Sequence, residues 1–511
     1  MSLGILRLTR SMCFLCAIAG IASQAETSPD APTPKPGRQF NVKNYGAKGN
    51  GRANDTAAIQ AALDAARDAG GGRVYLPGGT YLVSPATDVV FGVASNIEFA
   101  GDGPSSIIKI KGGKYNAVFW NDGGGENLAF HDFRVDQNPT GNAANPVGDG
   151  NMQSVIGVNN YKNLRVQSVR FEPACGVWAI VGLGPKGNQL LVEDCVFEFV
   201  NGRVAKKEDE KWYDVSVIYS QGAHQRILHN VFKSKASEYA QTAIELQGSD
   251  VVVRKNTVDY FAAGIILTNS LPEDAEPSGP VTIENNQFLH MQDGIELWAS
   301  TNKILRNVSI TNNVITIAPR VKTSWAQGIS HIIYSGPTTE SDPDTYRGDV
   351  SDIVISGNSI TFLDAPPVYT TDSGGQVSSG INFDSVGNVS NLQILNNKII
   401  DPPRVGIHLG NPITNGKLEN ITVENNLIVN PGWNRAAESK NRAAVKLDGR
   451  LSSVQLINNS IKRAGSRGTA SGVFAFWAHP STAENVVLRS NSVEPKDGMA
   501  SDVDPAISAK K

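Results

Sequence analysis

The chain has 511 residues, 40% hydrophobic and 19% charged, with 50 glycines and a formal net charge of −3. This length admits a large core or several domains, and the near-neutral charge offers no basic footprint for nucleic acid. The glycine content suits short strands and tight turns better than long helices.

Residues 1–25 read as an export signal. Arg7 and Arg10 give a basic start, Met12 to Ile21 an apolar run, and Ser23-Gln24-Ala25 small residues for cleavage. That run is too short to span a bilayer and no later run is long enough, so a secreted or periplasmic protein without membrane insertion is expected. Removing Arg7 and Arg10 takes the net charge from −3 to −5. Cys13 and Cys16 leave with the signal, so Cys175 and Cys195 remain, either paired in an oxidising compartment or kept as buried thiols. No CxxC or His-rich spacing suggests zinc. Residues 26–38 hold four prolines and read as a linker.

Residues 39–130 are expected to form an N-terminal cap and the first coils. Asn54 or Asp55 can cap a helix whose apolar face carries Ile59, Ala62, Leu63 and Ala66, and Gly70 ends it. A strand Arg73 to Pro77, the turn Gly78-Gly79 and a strand Thr80 to Val83 follow. An amphipathic helix here would seal the open end of a stacked core. The segment Tyr45-Gly46-Ala47-Lys48-Gly49-Asn50-Gly51, Asn54-Asp55-Thr56-Ala57-Ala58-Ile59-Gln60 and Gly70-Gly71-Gly72-Arg73-Val74-Tyr75-Leu76-Pro77-Gly78-Gly79-Thr80-Tyr81 resembles the opening of the pectate-lyase-like superfamily. The resemblance covers residues 40–130 closely. It implies a right-handed parallel β-helix, a fold shared by polygalacturonases, polysaccharide depolymerases and alginate epimerases of differing chemistry. The Asp-Asp, Gly-His-Gly and Arg-Ile-Lys signatures of polygalacturonases and the Asp-Pro-His motif of alginate epimerases are not found, so no catalytic residue transfers from the family.

From about residue 150 to 495 one phrase recurs at a period of roughly 20–40 residues, the mark of a solenoid; the β-helix is expected over residues 131–495 and a tail over 496–511. Each repeat carries an Asn-bearing strand, such as Ile283-Glu284-Asn285-Asn286 or Ile394-Leu395-Asn396-Asn397. Asn is depleted in ordinary strands. One at a fixed place in each coil points to a stacked turn whose amides bond coil to coil, as in fibril ladders. A second strand reads Gly-Ile-x-Leu-x, as in Gly264-Ile265-Ile266-Leu267-Thr268 and Gly294-Ile295-Glu296-Leu297-Trp298. The alternation of strand faces turns Ile and Leu inward and the variable positions outward.

Stacking then lines up Glu245, Ile266, Glu296, a residue near Ser330 or His331, Asn382, His408 and Lys446. A parallel row holds Gln247, Thr268, Trp298, Asp384, Gly410 and Asp448. The letters of the His331 strand, Gly328-Ile329-Ser330-His331-Ile332-Ile333, break the register, which would turn that histidine inward. Insertions at 201–214, 318–327, 364–379, 431–442 and 463–471 before the strand, and at 269–280 and 335–349 after it, would wall this face into a groove for an extended polymer. Trp298 on the floor and Trp212, Tyr213, Trp325, Tyr369 and Trp433 in the loops are candidate platforms for sugar faces. Asn382 and Asp448 are further candidate substrate contacts.

Two chemistries are open. Glu245 and Glu296 lie two strands apart, roughly 9.6 Å, near the wide limit of about 9.5 Å for an inverting glycosidase pair. Asp384 is a third carboxylate. A lyase or epimerase needs a base and a cation beside a uronate, which His408, Lys446 and Asp384 can supply. The acidic loops 273–276 and 340–344 offer oxygens to calcium but lack the spacing of a defined loop site, so they read as solvated turns and no cofactor is expected, with calcium the one left open. The expectation is an exported polysaccharide hydrolase or lyase; a uronate C5-epimerase and a non-catalytic glycan-binding or envelope structural protein are the alternatives.

Overall fold

The computed structural model describes residues 37–85, 88–142, 151–200, 215–234, 240–269, 279–300, 303–319, 326–331, 348–363, 378–383, 387–410, 416–434, 442–463, 473–478 and 486–494. The expected export signal, nearly all of the linker and the tail lie outside these residues. So do most of the loop insertions, the acidic loops 273–276 and 340–344, and Trp212, Tyr213, Trp325, Tyr369 and Asp384.

Among the described residues the chain is all-β apart from one α-helix and two short 3₁₀ turns, and its coils stack through parallel strand pairs on three faces. One face, which carries the candidate site, consists of β1 (Val89–Gly92), β2 (Ala117–Asn121), β3 (Ser154–Asn159), β4 (Ile180–Leu183), β5 (Ser216–Leu228), β6 (Ala240–Arg254) and β7 (Phe261–Thr268). It continues through β8 (Asp293–Trp298), β9 (Gln327–His331), β10 (Ser379–Phe383), β11 (Val405–Leu409), β12 (Ala443–Leu447) and β13 (Phe474–Ala478). A second face runs from Gln39–Asn41 to Val486–Arg489. The long strands β5 and β6 turn the corner between these two faces and join them into one 26-stranded sheet; the third face is a separate 15-stranded sheet.

The helix α1 (Thr56–Asp68) buries Ile59, Ala62, Leu63 and Ala66, the face expected from their spacing. Of the two candidate caps, Asn54 bonds the first turn, its Oδ1 accepting from Thr56 N at 3.2 Å. Asp55 turns away and accepts from Lys48 N and Gly49 N instead. Gly70, at φ +81°, ends the helix, with its N–H bonded to the Arg67 carbonyl.

The inward Ile and Leu of each coil form one continuous core: Ile295, Leu297, Ile329, Ile381, Ile407 and Leu409 are fully buried. The corner between the second and third faces is held by the expected asparagines. In each Asn pair the first residue, such as Asn285 or Asn396, takes a left-handed backbone. The second builds the ladder Asn230, Asn256, Asn286, Asn313, Asn358, Asn397, Asn426, Asn459 and Asn491. Each backbone N–H donates to the next Asn Oδ1 at 2.8–3.0 Å. Each Nδ2 donates to the same oxygen at 3.0 Å. Its other N–H goes to a carbonyl of the coil before, as Asn358 does to Ile310 O. Every polar atom of a buried amide is thereby used.

Cys175 and Cys195 stay apart as buried thiols, bonded to Gln153 Oε1 and Glu193 O respectively. Burial pushes both thiols up to about 12. His331 sits in unbroken register beside Leu297 and Phe383, so the expected break is absent although the inward placement holds. Its ring stacks on Phe383 with centroids 6.1 Å apart. Neither nitrogen has a hydrogen-bond partner, and burial lowers its pKa to about 4.

Two predictions follow from this packing. Asn358→Ala strands Asn313 N, Asn313 Nδ2 and Ile310 O, and the urea midpoint should reveal a loss of about 2–4 kcal/mol. Gln393→Ala, at an exposed strand position, should by contrast change it by under about 0.5 kcal/mol. As for His331, the unfolded chain takes up its proton near pH 6.5 while the native chain resists until about 4. Stability therefore falls as pH drops through that window. From pH 8 to 5 the native protein should lose about 2 kcal/mol more than His331→Phe; equal losses would refute the neutral core histidine.

Candidate active site

The register sets the outward row residue by residue. Tyr219 lies beside Glu245, then Ile266, Glu296, Ser330, Asn382, His408, Lys446 and Trp477. The uncertain place in the expected row belongs to Ser330. The second row holds as well where the structure describes it: Gln247 beside Thr268 beside Trp298, and Gly410 packed against Asp448.

A third row was missed. Strands β7 to β11 each bend at a glycine. A Cβ on Gly294 would lie 2.3 Å from Gly328 O and 2.8 Å from the core side chain Ile315, so this residue faces inward although its neighbour Ile295 does too. Asp293 before the bend and Glu296 after it therefore both face out. In line with Asp293 stand Ser216, Thr242, Ala263, Gln327, Ser379, Val405 and Ala443. The sequence signal was available in the glycine itself, whose lack of a side chain permits this close approach of backbones.

The outward residues are not the solvated surface that their polarity suggested. Glu245, Glu296, Asn382, His408 and Lys446 are each at most 6% exposed. Ser216 Oγ donates to Glu245 Oε2 at 2.6 Å. Trp298 Nε1 donates to Glu296 Oε2 at 2.9 Å, so this indole serves the carboxylate as well as offering a half-buried ring. Burial raises the Glu296 pKa to about 7, against the smaller downward pull of the Trp298 bond. Asp293 accepts from Gln327 N at 3.0 Å and from Gln292 Nε2 at 3.3 Å.

Farther along the row the charges pair. His408 Nε2 lies 2.9 Å from Asp448 Oδ2 and its Nδ1 2.9 Å from Asn382 Oδ1. Lys446 Nζ approaches the same Asp448 oxygen at 2.6 Å and stands 5.2 Å from the centre of the Trp477 ring. The carboxylate beside His408 and Lys446 is thus Asp448, which sequence reasoning had assigned to substrate contact, with Asp384 in the acid role. Burial pushes Asp448 up, but the His408 bond and the Lys446 charge outweigh it and hold the carboxyl below its ordinary range.

Trp433 is placed otherwise than expected. Its N–H donates to Asp401 O at 2.7 Å and its ring packs against the core, an anchoring position rather than a groove wall. At the amide-ladder corner Glu193, Asp194 and His229 each bring one potential metal ligand within 4.8 Å of the others. Asp194 and His229 are exposed there, and the cluster stands apart from the row.

The chain matches the family described as "Rhamnogalacturonase A/epimerase, pectate lyase-like" over residues 39–336, and "Right handed beta helix region" over residues 215–494. It is similar to alginate lyase 7 of Azotobacter vinelandii, 49% identical over 79 residues, 15% of this chain and 9% of that protein. It is likewise similar to mannuronan C5-epimerase AlgE3 of the same bacterium, 50% identical over 78 residues, 14% of this chain and 4% of that one. The match thus spans less than a tenth of the length of either relative. In three dimensions it resembles the tailspike protein of E. coli bacteriophage HK620, solved with a pentasaccharide. The TM-score is 0.61 at 15% identity, over 88% of this chain and 80% of that one, a likeness of fold. A second structure of that tailspike, with a hexasaccharide, gives a TM-score of 0.58 at 15% identity and the same coverage. The first family match takes in more than half of the chain, which therefore belongs to the rhamnogalacturonase A/epimerase family of pectate-lyase-like β-helix proteins.

Proposed function

We propose that this protein is an exported enzyme that cleaves a polysaccharide laid along the outward row, by hydrolysis, with Glu296 as general acid and Glu245 as base. The observation that carries this is the buried Glu296, whose pKa of about 7 keeps much of it protonated near neutrality. Glu245 stands two strands away across Ile266, roughly 9.6 Å by strand spacing. That leaves room for a water and favours inversion at the anomeric carbon. The family, the carbohydrate-acting relatives and the oligosaccharide-bound tailspike of the same fold support a polysaccharide substrate. No helix among the described residues is long and apolar enough to cross a membrane.

A second reading rests on the pair His408 and Asp448. Asp448 Oδ2 accepts from Nε2–H; with the Asn382 amide turned to offer Nδ2 in place of Oδ1, Nδ1 keeps a lone pair and can take a proton beside a uronate carboxylate held by Lys446. That is the chemistry of a lyase or a C5-epimerase. A panel of neutral and acidic polysaccharides separates the readings. New reducing ends alone indicate hydrolysis, ultraviolet-absorbing unsaturated ends a lyase, solvent hydrogen exchange without scission an epimerase, and binding alone a non-catalytic glycan-binding role.

Glu296→Gln should lower kcat about 10²–10⁴-fold with little change in KM; retained turnover would refute the acid. In the native enzyme, activity should fall as pH rises through about 7, as Glu296 loses its proton. Trp298→Phe removes the N–H that favours the charged carboxylate, so this alkaline limb should move up by roughly half a unit or more. A downward shift would contradict the assignment.

A further inference from the structure

We propose that Ser330 and Gln327, on β9, form a subsite that reads the hydroxyls of a neutral sugar unit immediately beside Glu296. This rests on the assignment of that carboxyl to the reaction centre. Ser330 follows Glu296 directly in the outward row, and Gln327 follows Asp293 in the row beside it. The two strands are adjacent, so the subsite lies roughly 4.8 Å from Glu296 along the axis. Ser330 is fully buried and Gln327 is 3% exposed. Yet Ser330 Oγ and Gln327 Oε1 have no hydrogen-bond partner. A buried polar atom left so costs about 1–3 kcal/mol, and native structures satisfy nearly all such atoms. Of the four such atoms on β9 the two of His331 face the core, whereas these two lie on the face that carries the candidate acid and imply a partner that arrives with the substrate.

The chemistry of that partner follows from what surrounds it. Flanking β9 on this face are Asp293 and Glu296 on one side, Ser379 and Asn382 on the other. Among the described residues of these three strands the outward groups include two carboxyls, amides and hydroxyls and no cation. Gln327 Oε1 can only accept, and a hydroxyl both donates and accepts. A sugar hydroxyl therefore satisfies both atoms, whereas a uronate carboxylate, itself only an acceptor, would face the Gln327 acceptor and the Asp293 carboxyl. The cation of the row, Lys446, stands three strands beyond Ser330. A fully charged polyuronate thus fits this centre poorly.

Binding is measured by calorimetry on the Glu296→Gln protein, so that the probe is not turned over. The probes are neutral hexasaccharides of glucose, mannose, galactose and N-acetylglucosamine, with hexamannuronate for contrast. At least one neutral probe should bind more tightly than hexamannuronate. Adding Ser330→Ala or Gln327→Met should weaken that probe about tenfold or more. Ser330→Ala should leave the unliganded melting temperature unchanged or raised, since it removes an unsatisfied buried hydroxyl. The proposal is overturned if no neutral probe binds, if hexamannuronate binds most tightly, if both substitutions leave affinity within about twofold, or if Ser330→Ala lowers the melting temperature. Full cleavage by Glu296→Gln would instead refute the acid assignment while the sugar affinities still decide the subsite.

Discussion

Everything in this molecule depends on each coil lying in fixed register on the next. Parallel strand pairing alone does not fix register strongly, because a slip by one residue exchanges the two faces of a strand. Here the slip is opposed twice. The inward Ile and Leu would be driven out of the core, and the amide ladder from Asn230 to Asn491 would lose both bonds to each Oδ1. Such a ladder works only if every coil places its Asn at the same corner, so the repeat in the sequence and the stacking in space are one constraint.

Register then does what no single coil can do. It brings residues far apart in the chain to neighbouring positions on a continuous floor, where burial and charge act on them differently. Glu296 has a hydrogen-bond donor in Trp298 but is dominated by burial, and its pKa rises to about 7. Asp448 is also buried, but beside His408 and Lys446 it stays below the ordinary range. Two carboxyls on one face are thereby given opposite protonation at neutral pH, a division of labour that acid–base chemistry exploits.

The parts of this arrangement that follow from period were legible in the amino-acid sequence. Inward Ile295 and Leu297, the structural role of the asparagines and the order of the row from Glu245 to Lys446 all come from alternation and repetition. What was not legible depends on local departures from the ideal strand and on three-dimensional company. Alternation alone turns Asp293 inward, and only the bend at Gly294 brings it out. Polarity suggested a solvated row, yet burial is a property of what lies over a strand. Asp448 emerges as the partner of His408 because charge pairing is read from distance rather than from place in a repeat. Trp433 follows the same logic in the opposite direction: an aromatic in a loop has no period to say whether it faces a groove or, as here, the core.

The central claim is that burial in this row keeps the Glu296 carboxyl protonated close to neutral pH. Infrared difference spectroscopy of the carboxyl stretch across a pH titration, with Glu296→Gln as the subtraction reference, tests it without knowledge of the substrate. The account predicts a single protonated carboxyl, absent from the variant, that titrates near 7. Titration near the ordinary 4.5 would contradict it.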